Sequence, residues 1–164
     1  AVDLFRLRDG RVVEHWSLLQ QIAPGTPASG TTNTMFSDLY RPARPAPAPS
    51  ERQEERNRTF AVSAYDTLFR DHDVSVLDEK FDPAYLQHNS VAANGTAALK
   101  QFFAGSAAQG LPKQESVISL ADGDLVWTFS KQVGAKADAP FGAADLFRVD
   151  GNLIREHWDV VPTS

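Results

Sequence analysis

One internal repeat constrains this chain more than any other feature. Asp3-Leu4-Phe5-Arg6 recurs as Asp145-Leu146-Phe147-Arg148, and Glu14-His15-Trp16 recurs in the same order as Glu156-His157-Trp158. Between the halves of each copy stands a turn signal, Asp9-Gly10 in the first and Asp150-Gly151 in the second, aligned with one single-residue gap on either side. An apolar run, an Asp-Gly turn and a second run rich in β-branched and aromatic residues predict a β-hairpin each time. Residues 1–22 therefore read as the closing hairpin of an upstream copy of whatever domain ends the chain. A lone hairpin is marginal in water, and the apolar set Val2, Leu4, Phe5, Leu7, Val12, Val13, Trp16, Leu18 and Leu19 is too rich to stand free. It is expected to complete the sheet of the upstream copy. Otherwise it should pair with an exposed strand edge of the domain or of a neighbouring chain, which would make a dimer.

The stretch between the copies is of a different kind. Residues 23–49 carry a polar, glycine- and proline-bearing run from Pro24 to Asn33, then Pro42-Ala43-Arg44-Pro45-Ala46-Pro47-Ala48-Pro49. Alternating proline blocks helix and sheet, so this is a linker with a semi-rigid end. A domain spans residues 50–164. Ser50 with Gln53 forms a capping box that opens a helix near 51–71, with Phe60, Ala64 and Leu68 on one face and Ala61, Tyr65 and Phe69 beside them. Val74, Leu77 and Phe81 mark a short helix near 73–81 that Pro83 bounds. A short strand covers 85–88, Asn94-Gly95 turns, and Thr96 caps a third helix near 96–107. Strands near 114–121, 124–133, 143–150 and 153–161 follow. Helices first and an antiparallel meander afterwards is an α+β layout, in which a curved sheet wraps three helices and leaves a pocket at its open end.

Composition narrows the function classes. The 164 residues carry a net charge of −5 with no basic stripe, so neither nucleic acid nor an anionic membrane surface is an expected partner. No apolar run approaches the roughly 20 residues of a membrane span. The chain has no cysteine, which removes disulfides, thiolate nucleophiles and thiolate metal sites together. It leaves the compartment open, with cytoplasm as the default beside periplasm and secretion. No set of histidines and carboxylates shows zinc spacing, no glycine-rich phosphate loop is present, and neither a metal nor a cofactor is expected.

Tyr85-Leu86-Gln87-His88-Asn89 followed by Asn94-Gly95, and the closing pair Asp145-Leu146-Phe147-Arg148-Val149 and Glu156-His157-Trp158-Asp159-Val160, resemble segments of SnoaL-like proteins. These belong to the nuclear-transport-factor-2-like superfamily, and the resemblance covers residues 50–162. It implies a cone-shaped fold, frequent dimers, and members that are cyclases, isomerases, dehydratases or non-catalytic binders. Compared position by position with ketosteroid isomerase, Tyr65 falls at the oxyanion-hole tyrosine and Asp145 at the protonated aspartic acid. His88 or Asn89 stands where the carboxylate base would be.

The residues suggest a site of their own. His157 and Asp159 are two apart on a strand and share a face, so the carboxylate can orient the imidazole and hold its pKa in a useful range. His88, Asp145 and Tyr65 complete the catalytic set, while Asn89, Trp127, Phe102 and Phe147 are expected to contact substrate. The leading reading is a cofactor-free enzyme that moves a proton on a small hydrophobic carbonyl compound. The other is a binding or dimerisation module, favoured by the first copy, where Ser17 stands in place of Asp159.

Overall fold

The computed structural model describes residues 1–22, 33–44, 47–105 and 110–162. The linker run from Pro24 to Asn33, apart from Asn33 itself, lies outside these residues. So do Pro45, Ala46 and positions 106–107 of the expected third helix.

Two hairpin strands come first, β1 (Val2–Arg8) and β2 (Arg11–Leu18). The domain then runs α1 (Glu51–Tyr65), α2 (Val76–Lys80), β3 (Phe81–Gln87), α3 (Thr96–Ala104), β4 (Gln114–Asp122), β5 (Leu125–Gln132), β6 (Ala143–Asp150) and β7 (Leu153–Val160). The five domain strands form one sheet in the order β3-β7-β6-β5-β4. Its last four strands are an antiparallel meander, but β3 lies parallel to β7. The sheet is therefore mixed, not purely antiparallel as the sequence suggested. The chain reaches β3 before the meander begins, and β3 runs alongside the last strand instead of reversing against it. Among the described residues no helix is long and apolar enough to cross a membrane.

Helix α1 starts where the capping residue predicts, with the Ser50 side chain accepting from the Gln53 amide. The Gln53 side chain does not return the bond and reaches Asn57 and Arg56 instead. Ala61, Ala64, Tyr65 and Leu68 are buried against the sheet; Phe60 is only partly so. The last turn widens into a π-helical segment over Asp66–Arg70. At α3 the cap is Gly95 rather than Thr96: its φ is +85°, and an added Cβ would sit 3.0 Å from the Pro83 carbonyl oxygen. Pro83 itself lies inside β3, which begins at Phe81 rather than Tyr85. An edge strand tolerates the missing donor, so proline there does not end the element.

The two sides of the sheet have different covers. Helices α1 and α3 pack on one side over Tyr65, Leu68, Tyr85, Leu99, Val126, Phe147 and Ile154. On the other side Leu4 and Leu18 of the hairpin join Phe129, Phe141, Ala144 and Val160, with Trp16 and Trp127 at the rim. The hairpin thus packs face-on, as a separate two-stranded sheet, and extends no strand edge. Its left-handed turn residues are Asp9 and Gly10, and those of the β6–β7 hairpin are Gly151 and Asn152. Arg8 pairs with Arg11 and Asp150 with Leu153, so the two hairpins correspond residue for residue, without the gaps the sequence alignment introduced. The type I′ geometry needs two left-handed residues, and Asp-Gly and Gly-Asn both supply them.

Candidate functional site

Strands β6 and β7 set the site. In their register Asp145 faces Asp159 and Phe147 faces His157, so the four side chains project from adjacent strands to the helix-covered side. His157 Nε2 lies 3.0 Å from Asp145 Oδ1, and its ring stacks on Phe147 with centroids 4.8 Å apart. Its other nitrogen, Nδ1, lies 2.9 Å from Gln87 Oε1. That oxygen also accepts from the backbone N–H groups of His88 and Asn89, each at 3.0 Å. Two backbone donors fix the orientation of the Gln87 amide, so Nδ1 of His157 must carry a proton and donate it. The Gln87 Nε2 group donates in turn to the Tyr85 hydroxyl at 3.1 Å. Asn89 Nδ2 donates to Asp159 Oδ2 at 2.5 Å.

Two carboxylate oxygens are left over. Asp145 Oδ2 and Asp159 Oδ1 are buried and have no hydrogen-bond partner. Both residues line a cavity of about 270 Å³ together with Tyr65, Asn89, Phe102, Phe147 and His157. The remaining lining is largely apolar, with Phe69, Phe81, Tyr85, Leu99 and Phe103 among it. An unpaired polar atom in such surroundings is costly, so these oxygens are placed for something that enters the cavity.

Burial governs the electrostatics. Desolvation raises the pKa of Asp145, although its hydrogen bond to His157 and the imidazole's charge oppose that, and the Asp159 charge pushes the same way as burial. For His157 burial favours the neutral ring, yet the hydrogen bond and charge of Asp145, with a further contribution from Asp159, outweigh it and raise its pKa. Burial lifts the Tyr65 phenol well above its ordinary value, so it remains a donor at any physiological pH. Asp145, His157 and Asp159 also bring one ligand atom each within 4.8 Å of one another. That grouping could hold a divalent cation, and it is invisible in the linear spacing because it forms across two strands.

The structure does not bring every expected residue here. His88 points to the other side of the sheet: its Nε2 lies 2.8 Å from Glu156 Oε1, its Nδ1 2.5 Å from the Thr34 carbonyl oxygen, and its ring stacks on Trp158. Strand alternation explains this, since Gln87 occupies the inward position next to it. Trp127 is likewise on the other side, stacked on Phe129. Gln87 is the positioning residue that motif reading missed. Its signal is the period-two series with Tyr85, whose aromatic ring marks that face as the buried one.

No protein-family profile matches the chain, and no curated protein does either. Solved structures do match. A nuclear-transport-factor-2-like protein of unknown function from Mesorhizobium loti aligns with a TM-score of 0.53 at 21% identity, covering 70% of this chain and 97% of that one. A protein provisionally assigned as a ketosteroid isomerase, from Kribbella flavida, aligns with a TM-score of 0.51 at 18% identity over 68% and 82% of the two chains. One provisionally assigned as a SnoaL-like polyketide cyclase, from Jannaschia sp. CCS1, gives 0.50 at 20% identity over 70% and 90%. Likeness at these identities speaks for architecture, and the architecture is plain: this chain has the nuclear-transport-factor-2-like fold.

Proposed function

We propose that the cavity is the active site of a SnoaL-like enzyme that catalyses proton transfer on a small hydrophobic carbonyl compound, with no cofactor. The observation that carries the reading is the convergence of Tyr65, Asp145, His157 and Asp159 on one apolar cavity, with Asp145 Oδ2 and Asp159 Oδ1 left unpartnered. Those are the elements acid–base chemistry requires: an ionised base, a donor aimed at a developing oxyanion, and surroundings that strengthen both.

The roles follow from the hydrogen bonds. The Tyr65 hydroxyl and a proton on Asp145 Oδ2 donate to the substrate's carbonyl oxygen. Asp159 Oδ1 takes a proton from the adjacent carbon, the C–H electron pair becomes the enolate double bond, and the negative charge collects on the oxygen. His157, held by Gln87, donates through Nε2 to Asp145 Oδ1 and thereby keeps the Asp145 proton on the oxygen that faces the cavity. Asn89 holds the other oxygen of Asp159 and so fixes the direction of the base. Return of the proton to another carbon gives isomerisation, attack of the enolate carbon on a second carbonyl gives cyclisation, and loss of a β-hydroxyl gives dehydration. The likeness to proteins assigned as a SnoaL-like polyketide cyclase and a ketosteroid isomerase favours the first two.

The test needs no knowledge of the natural substrate. 2-Tetralone in deuterated buffer exchanges its α-protons whenever a positioned base and an oxyanion donor act on it. The protein should accelerate exchange above buffer, and Asp159→Asn should remove about 10²–10⁴-fold of that acceleration. Saturable binding of the ketone without acceleration would instead make the cavity a binding site.

A further inference from the structure

The β1–β2 hairpin repeats not only the sequence of β6–β7 but its contacts. His15 Nε2 lies 2.8 Å from Asp3 Oδ1, against 3.0 Å for His157 and Asp145. Phe5 stacks on His15 with centroids 4.4 Å apart, against 4.8 Å for Phe147 and His157. Arg6 and Glu14 are 3.2 Å apart, as are Arg148 and Glu156. Arg6 lies over Trp16 at 5.3 Å and Arg148 over Trp158 at 5.7 Å. The register slips at the same place, between Arg6 and Leu7 and between Arg148 and Val149.

What differs is the cover. The face bearing Phe147, Val149 and His157 is buried under α1, β3 and α3. The matching face bearing Phe5, Leu7 and His15 is open, with Phe5 48% and Leu7 64% exposed, against 2% and 5% for Phe147 and Val149. Val12, 58% exposed and matching the fully buried Ile154, extends the open patch. A bare apolar face that repeats the Asp–His contact and the Phe–His stack of a face buried elsewhere in the molecule is shaped for the same cover.

We propose that the open face of the β1–β2 hairpin is an interaction surface for a second helical layer of the kind residues 51–105 form, supplied by a further domain of this same fold. Docked there, the layer closes a second cavity with Asp3, Phe5, His15 and Ser17 in its wall. The hairpin's other face, through Leu4 and Leu18, already holds it against the described domain, so two such domains stand back to back through their sheets. The surface rests on the repeat and on burial alone, independently of any chemistry in the first cavity.

The repeat supplies the experiment. Residue 143 of the domain corresponds to residue 1 of the hairpin, so a second copy of residues 50–142 joined directly before Ala1 gives the hairpin such a layer, with residues 1–164 unchanged behind it. Amide hydrogen exchange is then followed in β1 and β2 of the unextended and the extended chain. The expected result is slowing of those amides by about a hundredfold in the extended chain, since they leave a two-stranded sheet covered on one face for one covered on both. A second variant of the extended chain, Phe5→Asp with Val12→Asp, should lose the slowing, while the same pair leaves the melting of the unextended chain unchanged. Unchanged exchange in the extended chain overturns the proposal, whether the added residues stay unfolded or fold apart from the hairpin. So does a doubly substituted extended chain that remains protected.

Discussion

The molecule contains the same aspartate–histidine pair twice, and the two behave in opposite ways. At the open hairpin, hydrogen bonds from Ser17 and His15 lower the pKa of Asp3, as expected for an acid that water still solvates. At the buried hairpin, desolvation raises that of Asp145, although the contact with histidine is nearly the same length. Identity and geometry of the pair itself are constant between the two, so the difference lies in its surroundings. Burial under helices and aromatic rings is the largest cause at Asp145, with the Asp159 charge acting the same way, whereas at Asp3 the Ser17 hydroxyl, which stands in place of Asp159, is the largest cause and acts the opposite way. A site of this kind is a property of the wall that encloses it as much as of the residues that line it.

That comparison can be broken in graded steps. The largest effect belongs to Asp159, in whose place the open hairpin carries Ser17. Asp159→Ser gives the buried set the hairpin's own Asp–His–Ser composition, and should cut α-proton exchange of 2-tetralone by about 10²–10⁴-fold with the melting temperature little changed. Ser17→Asp should bring no gain in that rate, because the open face encloses no substrate.

Next comes the outward side of each hairpin. Glu156 is fully buried and accepts from the Leu39 and Tyr40 amides, beside His88 and Arg148. Its replacement by alanine strands those groups and should cost about 3–5 kcal/mol in denaturant unfolding. Glu14→Ala, which breaks only an exposed pair with Arg6, should cost less than about 0.5 kcal/mol. Smaller again, Phe147→Leu should lose about 1 kcal/mol from the core, and Phe5→Leu should be silent.

The smallest effects are in the pH dependence of stability, and the two copies bend the curve on opposite sides. Asp145 and His157 bind protons more tightly folded than unfolded. Their stabilisation is complete below their unfolded pKa values, about 3.9 and 6.5, and fades as pH rises through the higher folded ones. Asp3 binds its proton less tightly when folded. Its contribution is present above about 3.9, fades as pH falls through its lowered value, and is small because solvent screens it. Asp145→Asn should flatten the alkaline limb of unfolding free energy against pH, and Asp3→Asn should barely alter the acid limb.

How much of this was legible in the sequence depended on whether the information was local. Alternation placed β4 through β7 within two residues, and the side chains of His157 and Asp159 did fall on one face. The parallel pairing of β3 was not legible, because no local pattern says which strand a neighbour will be. That omission had a chemical consequence. A strand over 85–88 already puts Gln87 and His88 on opposite faces, but which face looks into the cavity is set by the pairing with β7, and His88 was assigned to a cavity it does not reach. The linker was read as a spacer, yet Leu39 and Tyr40 are anchored on Glu156. Glutamate in the repeated Glu-His-Trp triplet gave no hint that one copy would be buried and the other solvated.

Nitrogen-15 NMR of the histidine side chains across the neutral pH range tests the central claim most directly, that the buried Asp145–His157 pair is a proton-holding centre in which the aspartate outweighs the burial of the imidazole. If the account is right, Nδ1 of His157 carries its proton at every pH, held by Gln87. Its Nε2 proton should be lost only above the ordinary histidine value of about 6.5, and in Asp145→Asn that loss should move to lower pH. A His157 that deprotonates at or below the ordinary value, or whose neutral form keeps its proton on Nε2, would contradict it.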